Sequence, residues 1–346
     1  MTTRREFIQQ GITLSVLAAW GKNVLSAAEL PASPAYGGMI GVLVTPYHQD
    51  GSVDPDAMET LCRHVGQSGV EGVFLCGSTG DMPLLEWEER EALFRAGKKG
   101  LPEKTKIYGG VTSFSLPGTI ANCRRAADAG VDVAVVMPPL FFFRYSPKEI
   151  TAYMKRIADE SPIPVLMYHH QKAPTPIAME TIVSMMDYPN LLGMKETGAS
   201  IERTFEILQK RGKKRFLVLQ GNEAYGPASF PAGADGMMGA LIGVVPEIYV
   251  TLWKAFREND ETTFRKMHEQ ADQVCKVFQL MPRDDSFSYF GYTLKKMLQY
   301  RGWQENAWSR LPGFVPDPAF DARLIAFLDT LSKSIPCLTP HERKCS

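Results

Sequence analysis

The chain has 346 residues, 45% hydrophobic and 22% charged, with 38 Lys+Arg set against 38 Asp+Glu. That composition is ordinary for a folded globular protein, and the length admits one large domain or two medium ones. A formal net charge of zero argues against a broad electrostatic footprint for nucleic acid.

The first segment reads as an address rather than as fold. Arg4 and Arg5 are followed by Phe7, an apolar stretch from Ile12 to Trp20, and the small residues Ser26, Ala27 and Ala28. Basic, apolar and small-residue regions in that order predict a twin-arginine export signal over 1–28, cleaved after Ala28. The mature protein would then be periplasmic or otherwise exported. The apolar stretch is too short and interrupted for a membrane span, so no stable membrane anchor is expected after cleavage.

From Met39 onward, short apolar runs alternate with helical patterns. The runs are 39–46, 72–79, 106–113, 131–139, 164–170, 191–197, 216–222 and 233–241. Segments such as DPDAMETLCRHVGQSG and SPKEITAYMKRIADE between them have 3.6-residue periodicity. Near-continuous apolar strands separated by helices predict a parallel sheet covered by helices. Eight such units fit an α/β fold of the (β/α)8 TIM-barrel class over 38–258. Gly130, Gly193 and Gly233 fall at or near expected helix-to-strand junctions, where a left-handed residue commonly ends a helix. Residues 259–334 read as a C-terminal helical extension, and 335–346 as a polar tail.

Six cysteines are scattered, at 62, 76, 123, 275, 337 and 345, without CxxC or Cys/His spacing. A structural zinc site is therefore not expected. Cys337 and Cys345 could pair in an oxidising compartment. The other four fall within apolar patterns and read as small core residues. No GxGxxG-type dinucleotide fingerprint is present.

Chemistry in such barrels gathers at the carboxyl ends of the strands. That rule selects Thr45, Ser78, Thr79, Pro138, Tyr168, His169, Lys195, Glu196, Asn222 and Glu223. An amine lodged there among apolar strand residues is driven toward its neutral form, and a neutral amine attacks a carbonyl carbon to give a Schiff base. Lys195, in LLGMKETGAS, could instead be a strand-end charge that reaches water or pairs with Glu196.

Tyr168 favours the first reading. It lies near the end of strand five, and adjacent strands are only about 4.8 Å apart, so its phenol can approach an amine on strand six. A phenol there can move protons during imine formation. At the end of strand two, GSTGD (77–81) offers backbone N–H groups and the Ser78 and Thr79 hydroxyls to a carboxylate. His169 and His170 face opposite ways on a strand and do not make a metal site, but either could hydrogen-bond a substrate.

Taken together, VLVTPYHQDGSVD, GSTGD with LLEWEERE, VLMYHH, GMKETG and AGADGMMGA resemble the dihydrodipicolinate synthase / N-acetylneuraminate lyase family of class I aldolases, over about residues 38–300. The resemblance implies that Lys195 forms a Schiff base with pyruvate or a related 2-oxo acid and that Tyr168 relays protons. It implies that Ser78 and Thr79 receive the 2-oxo acid carboxylate, with Ser78 also in the relay, and that the backbone at Met238 borders the bound keto acid. No metal or organic cofactor is expected, because the protonated imine is itself the electron sink. A homo-oligomer, dimer or tetramer, is expected from the same likeness.

The departures narrow the reading. The acidic residue of the turn is Asp81 where the family usually has Glu. The synthase branch's arginine, five residues after the tyrosine, is Ala173, with Lys172 beside it. The tyrosine pair after strand four is replaced by Phe141, Phe142 and Phe143, so Ser78 must relay through water, Tyr145 or another group, while the phenylalanines read as interface or pocket wall. Glu223 is kept of the lyase branch's polar pair, but Ala224 follows. The expected activity is thus reversible C–C cleavage or condensation, of a sugar-acid-like substrate. The alternatives are a 2-keto-3-deoxy sugar acid dehydratase, dihydrodipicolinate synthase proper, or a non-catalytic periplasmic keto-acid-binding relative.

Overall fold

The computed structural model describes residues 35–140, 143–282, 288–311 and 313–340. The expected export signal (1–28), Phe141, Phe142 and Cys345 lie outside the described residues.

Eight parallel strands close on themselves in sequence order. They are β1 (Gly38–Val42), β2 (Gly72–Leu75), β3 (Lys106–Gly110), β4 (Val133–Val136), β5 (Val165–His170), β6 (Leu191–Thr197), β7 (Leu217–Gln220) and β8 (Gly236–Gly239). The helices between them are α1 (Pro55–Gln67), α2 (Trp87–Gly100), α3 (Leu116–Asp128), α4 (Pro147–Glu160), α5 (Met179–Met185), α6 (Ile201–Arg211) and the short α7 (Gly226–Ser229). After β8 come α8 (Pro246–Arg257), α9 (Glu261–Cys275), α10 (Ser288–Tyr300) and α11 (Pro318–Ser332). This is the (β/α)8 barrel with its C-terminal helical extension.

Local sequence accounts for the punctuation. Asp54 caps α1 by accepting from the Ala57 N–H, with Pro55 at the first helical position, where its missing donor costs nothing. Ser146 and Glu149 close α4 with a reciprocal capping box, again with a proline behind the cap. Met58, Leu61, Cys62 and Val65 form the buried stripe of α1 at helical spacing.

Two apolar groups fill the molecule. Ile40, Val42, Phe74, Val133, Val135, Leu166, Leu219 and Met238 occupy the barrel interior. A larger core lies between the strands and the helices. Packing both faces of every strand explains why the runs are continuously apolar rather than alternating.

The structure departs from the sequence reading in three places. Strands stop earlier than the apolar runs suggest: Cys76, at φ 53, turns the chain out of β2, so Ser78 and Thr79 sit in a loop. Gly130 and Gly233 do take positive φ at junctions, but Gly193 lies inside β6 at φ 154. There the β5–β6 register shifts, and a Cβ on Gly193 would stand 2.1 Å from the Leu217 carbonyl oxygen. The stretch expected as a polar tail opens with Ile335 and Leu338, both fully buried. These two apolar side chains anchor the described part of that stretch, residues 335–340.

Candidate active site

The register of β5 against β6 positions the two central side chains. Tyr168 pairs with Lys195 across the ladder, so both project to the barrel interior. Lys195 Nζ lies 4.3 Å from the Tyr168 ring centroid and 5.1 Å from that of Phe74. The Tyr168 hydroxyl is 3.0 Å from Ser78 Oγ. Lys195 is 3% and Tyr168 2% exposed. Among the described residues no carboxylate lies within ion-pairing distance of the amine.

Glu196 settles the alternative of a strand-end ion pair. It turns the opposite way on β6, is fully buried, and has Oε2 3.2 Å from Arg203 Nε. Burial raises its carboxyl to about 7, against the opposing pull of Arg203. Its Oε1 makes no hydrogen bond among the described residues and lies 3.7 Å from His169 Nε2. Burial, then Arg203 and His170, depress His169 to about 4, so the ring is neutral. His169 Nδ1 accepts from the Ile177 N–H at 3.3 Å, which leaves the proton on Nε2, facing Glu196. Arg203 Nη2 donates to the Ile177 carbonyl at 2.6 Å. One buried cluster thus grips both polar groups of Ile177 and fixes the loop after β5.

That loop reaches a cavity of about 290 Å³ lined by Ser78, Thr79, Tyr168 and Lys195. His170, Gln171 and Lys172 form one side, and Thr197, Asn222 and Glu223 another. His170 is the histidine that faces the cavity, and His169 lies behind the strand. Burial first, and then Lys195 and Lys172, hold His170 near 4, and its Nδ1 accepts from the Lys172 N–H. A neutral ring with an N–H donor is therefore presented to a ligand.

Three features of the site carried no clear signal in sequence. Thr197 Oγ1 is buried without a hydrogen-bond partner among the described residues, on the cavity that Lys195 also lines; its spacing of two from Lys195 was the available clue. Phe278, Met281 and Phe290 of the extension roof the cavity, and nothing local in sequence marks that long-range contact. Lys295 is buried beneath the GSTGD turn.

Other expected residues fall elsewhere. Met238 is fully buried in the barrel interior, in register with Ile40, and does not line the cavity, whereas Ala240 does. Tyr145 does not line it either; its N–H donates to Thr175 Oγ1. Thr45 is spent on the Gly80 carbonyl at 2.7 Å. The arrangement can therefore bind a carboxylate at Ser78 and Thr79, present an amine to the adjoining carbon, and pass protons between Tyr168 and Ser78.

Comparison with known proteins bears on the fold and the family. The 4-hydroxy-tetrahydrodipicolinate synthase of Xanthomonas campestris is 30% identical over 213 residues, 61% of this chain and 70% of that protein. A protein of Thermococcus onnurineus described as an uncharacterized DapA-like lyase is 28% identical over 272 residues, 77% of this chain and 89% of its own length. The structure of E. coli YagE in complex with pyruvate superposes with a TM-score of 0.79 at 24% identity, covering 86% of this chain and 99% of that one. The Ruminococcus gnavus sialic acid aldolase superposes at 0.76 with 20% identity, covering 87% and 99%. At these identities the structural likenesses show the fold alone. The family model described as the Dihydrodipicolinate synthetase family matches residues 35–317, and the chain accordingly belongs to that family, as a lyase.

Proposed function

We propose that Lys195 forms a Schiff base with pyruvate or a related 2-oxo acid, and that the chain catalyses reversible C–C cleavage or condensation of a sugar-acid-like substrate. The observation that carries this reading is the Tyr168–Lys195 register pair with Ser78 Oγ 3.0 Å from the phenol. The amine attacks the keto carbon, giving a carbinolamine. Tyr168 delivers a proton to the departing hydroxyl, water leaves, and a protonated imine remains. The Tyr168 phenolate left by that step takes the proton of the substrate hydroxyl, the C–C bond breaks, the imine takes up its electron pair as an enamine, and an aldehyde departs. Protonation of the enamine and hydrolysis then release the 2-oxo acid and the free amine.

The hydroxyl of Thr197, the amide of Asn222, the carboxylate of Glu223 and the neutral His170 supply donors and acceptors suited to a hydroxylated chain. Loss of a hydroxyl beta to the same imine would make the chain a dehydratase, and product analysis separates the two. The test is incubation with pyruvate and with 2-keto-3-deoxy sugar acids. Aldehyde and pyruvate released from the sugar acids indicate cleavage, whereas loss of water without pyruvate indicates dehydration.

Export through the twin-arginine route and assembly into a homo-oligomer belong to the same reading. The export signal rests on Arg4, Arg5 and the segment after them. Phe114 and Phe143, 73% and 55% exposed on loops after β3 and β4, are suited to contact with a second copy. Sequencing the mature N-terminus and sedimentation of the purified protein test these two points.

A further inference from the structure

The GSTGD turn is anchored from behind by a charge that belongs to the extension. Lys295 on α10 is 2% exposed. Its Nζ donates to the Trp308 carbonyl at 2.8 Å, lies 3.8 Å from Asp81 Oδ2, and sits 4.3 Å from the Tyr47 ring centroid. The ammonium thus faces a carbonyl, a carboxylate and a π-face. Tyr47 donates its own hydroxyl to the same Asp81 oxygen at 3.2 Å. Arg310, also from the extension, holds Glu89 and the Leu84 carbonyl at 2.7 and 2.9 Å and lies 5.0 Å from the Tyr47 ring centroid.

Asp81 takes φ 57, a left-handed conformation that aspartate adopts more readily than most residues with a side chain. From there its N–H returns to the Ser78 carbonyl at 3.2 Å, closing the turn that presents Ser78 and Thr79 to the cavity. Asp81 does not itself line the cavity, and neither does Lys295. A buried ammonium is costly to hold and is strongly missed when its partner is left uncompensated.

We propose that Lys295 is a positioning residue for the carboxylate subsite: through Asp81 it holds the Gly77–Asp81 turn in the conformation that receives a 2-oxo acid carboxylate. The extension then shapes the carboxylate subsite as well as roofing the cavity. The inference rests on the reading that Ser78 and Thr79 bind that carboxylate.

The test uses the full chain carrying Lys295→Met, Lys295→Arg and Asp81→Asn. Two quantities are read: the pyruvate concentration that half-saturates borohydride-trapped adduct on Lys195, and hydrogen exchange of the Ser78–Met82 amides without ligand. Lys295→Met should raise the half-saturating concentration about tenfold, the scale of one charge-assisted contact, without lowering the adduct reached at saturation. Exchange at the turn should quicken, and Lys295→Arg should recover most of both effects. Asp81→Asn should behave like Lys295→Met, and the double variant should be little worse than either single one, as expected of one shared interaction. Unchanged exchange at the turn in a folded Lys295→Met protein overturns the inference, whatever pyruvate does. If Lys295→Met does not fold, Asp81→Asn decides on the same two readouts. A wild type that forms no adduct with any 2-oxo acid refutes the functional reading instead, and the exchange measurement still judges the anchor.

Discussion

Lys195 and Glu196 share a peptide bond but not an environment. The amine points into the barrel, 4.3 Å from the Tyr168 ring centroid, while the carboxylate points outward, 3.2 Å from Arg203 Nε. A strand's two-residue period therefore separates a candidate nucleophile from the nearest charge that would have held it in an ion pair. The phenol and hydroxyl that remain beside the amine are groups able to move protons.

Replacing Tyr168 by Phe keeps the ring that touches Lys195 and removes only the hydroxyl facing Ser78. Turnover is expected to fall on the order of 10²- to 10⁴-fold, the usual contribution of a positioned proton donor, with the melting temperature little changed. Steady-state kinetics beside a thermal melt checks this. Full activity in the variant would remove Tyr168 from the chemistry.

Thr197 offers a different signature. Its Oγ1 is buried without a partner among the described residues, and an unpaired buried hydroxyl is a cost to the free protein. Thr197→Val should leave stability unchanged or raise it, while KM for a hydroxylated substrate rises about tenfold and adduct formation with pyruvate alone is kept. A variant with unaltered kinetics on such a substrate would show that the hydroxyl faces nothing the substrate carries.

Glu196 should write itself into the pH dependence of stability. Its carboxyl is raised from 4.5 to about 7 by burial, so between those values the folded chain keeps a proton that the unfolded chain has lost. Its contribution to stability is thus present at low pH and declines as pH rises to about 7. His169 and His170, both depressed to about 4, act in the opposite sense below 6.5. Comparison with Glu196→Gln, which mimics the neutral acid, isolates the carboxyl. Urea denaturation should show wild type losing a few kcal/mol relative to the variant between pH 4.5 and 7. A constant difference across that window would contradict the assignment.

Much of this was legible in sequence because barrel strands announce themselves by continuous apolar runs and helices by their period. The order of the elements alone puts Lys195 on the strand next to that of Tyr168. GSTGD was readable as a binding turn because glycines and hydroxyls cluster in five residues. The contributions of Phe278, Phe290 and Lys295 were not readable, since they depend on how the extension folds back over the barrel mouth. The register shift at Gly193 was also hidden, because a glycine at a strand's start looks like a helix terminus. The inward position of His170 followed from alternation only once Tyr168 was known to face inward.

The register shift gives its own prediction. A Cβ on Gly193 would meet the Leu217 backbone at 2.1 to 2.6 Å, too close for a backbone neighbour to yield. Gly193→Ala should destabilise the barrel by about 3 kcal/mol or more, in the range of strained and overpacked substitutions. Denaturant midpoints of the purified proteins measure it, and a neutral substitution would show that β6 can shift its register freely.

The central claim is that Lys195 is a nucleophile toward 2-oxo acids. Incubation of the full chain with pyruvate and borohydride, followed by peptide mass spectrometry, tests it most directly. The account predicts a reduced pyruvate adduct on Lys195, absent in Lys195→Met. An unmodified Lys195 with pyruvate and with every other 2-oxo acid of a panel, in a folded protein, would contradict it.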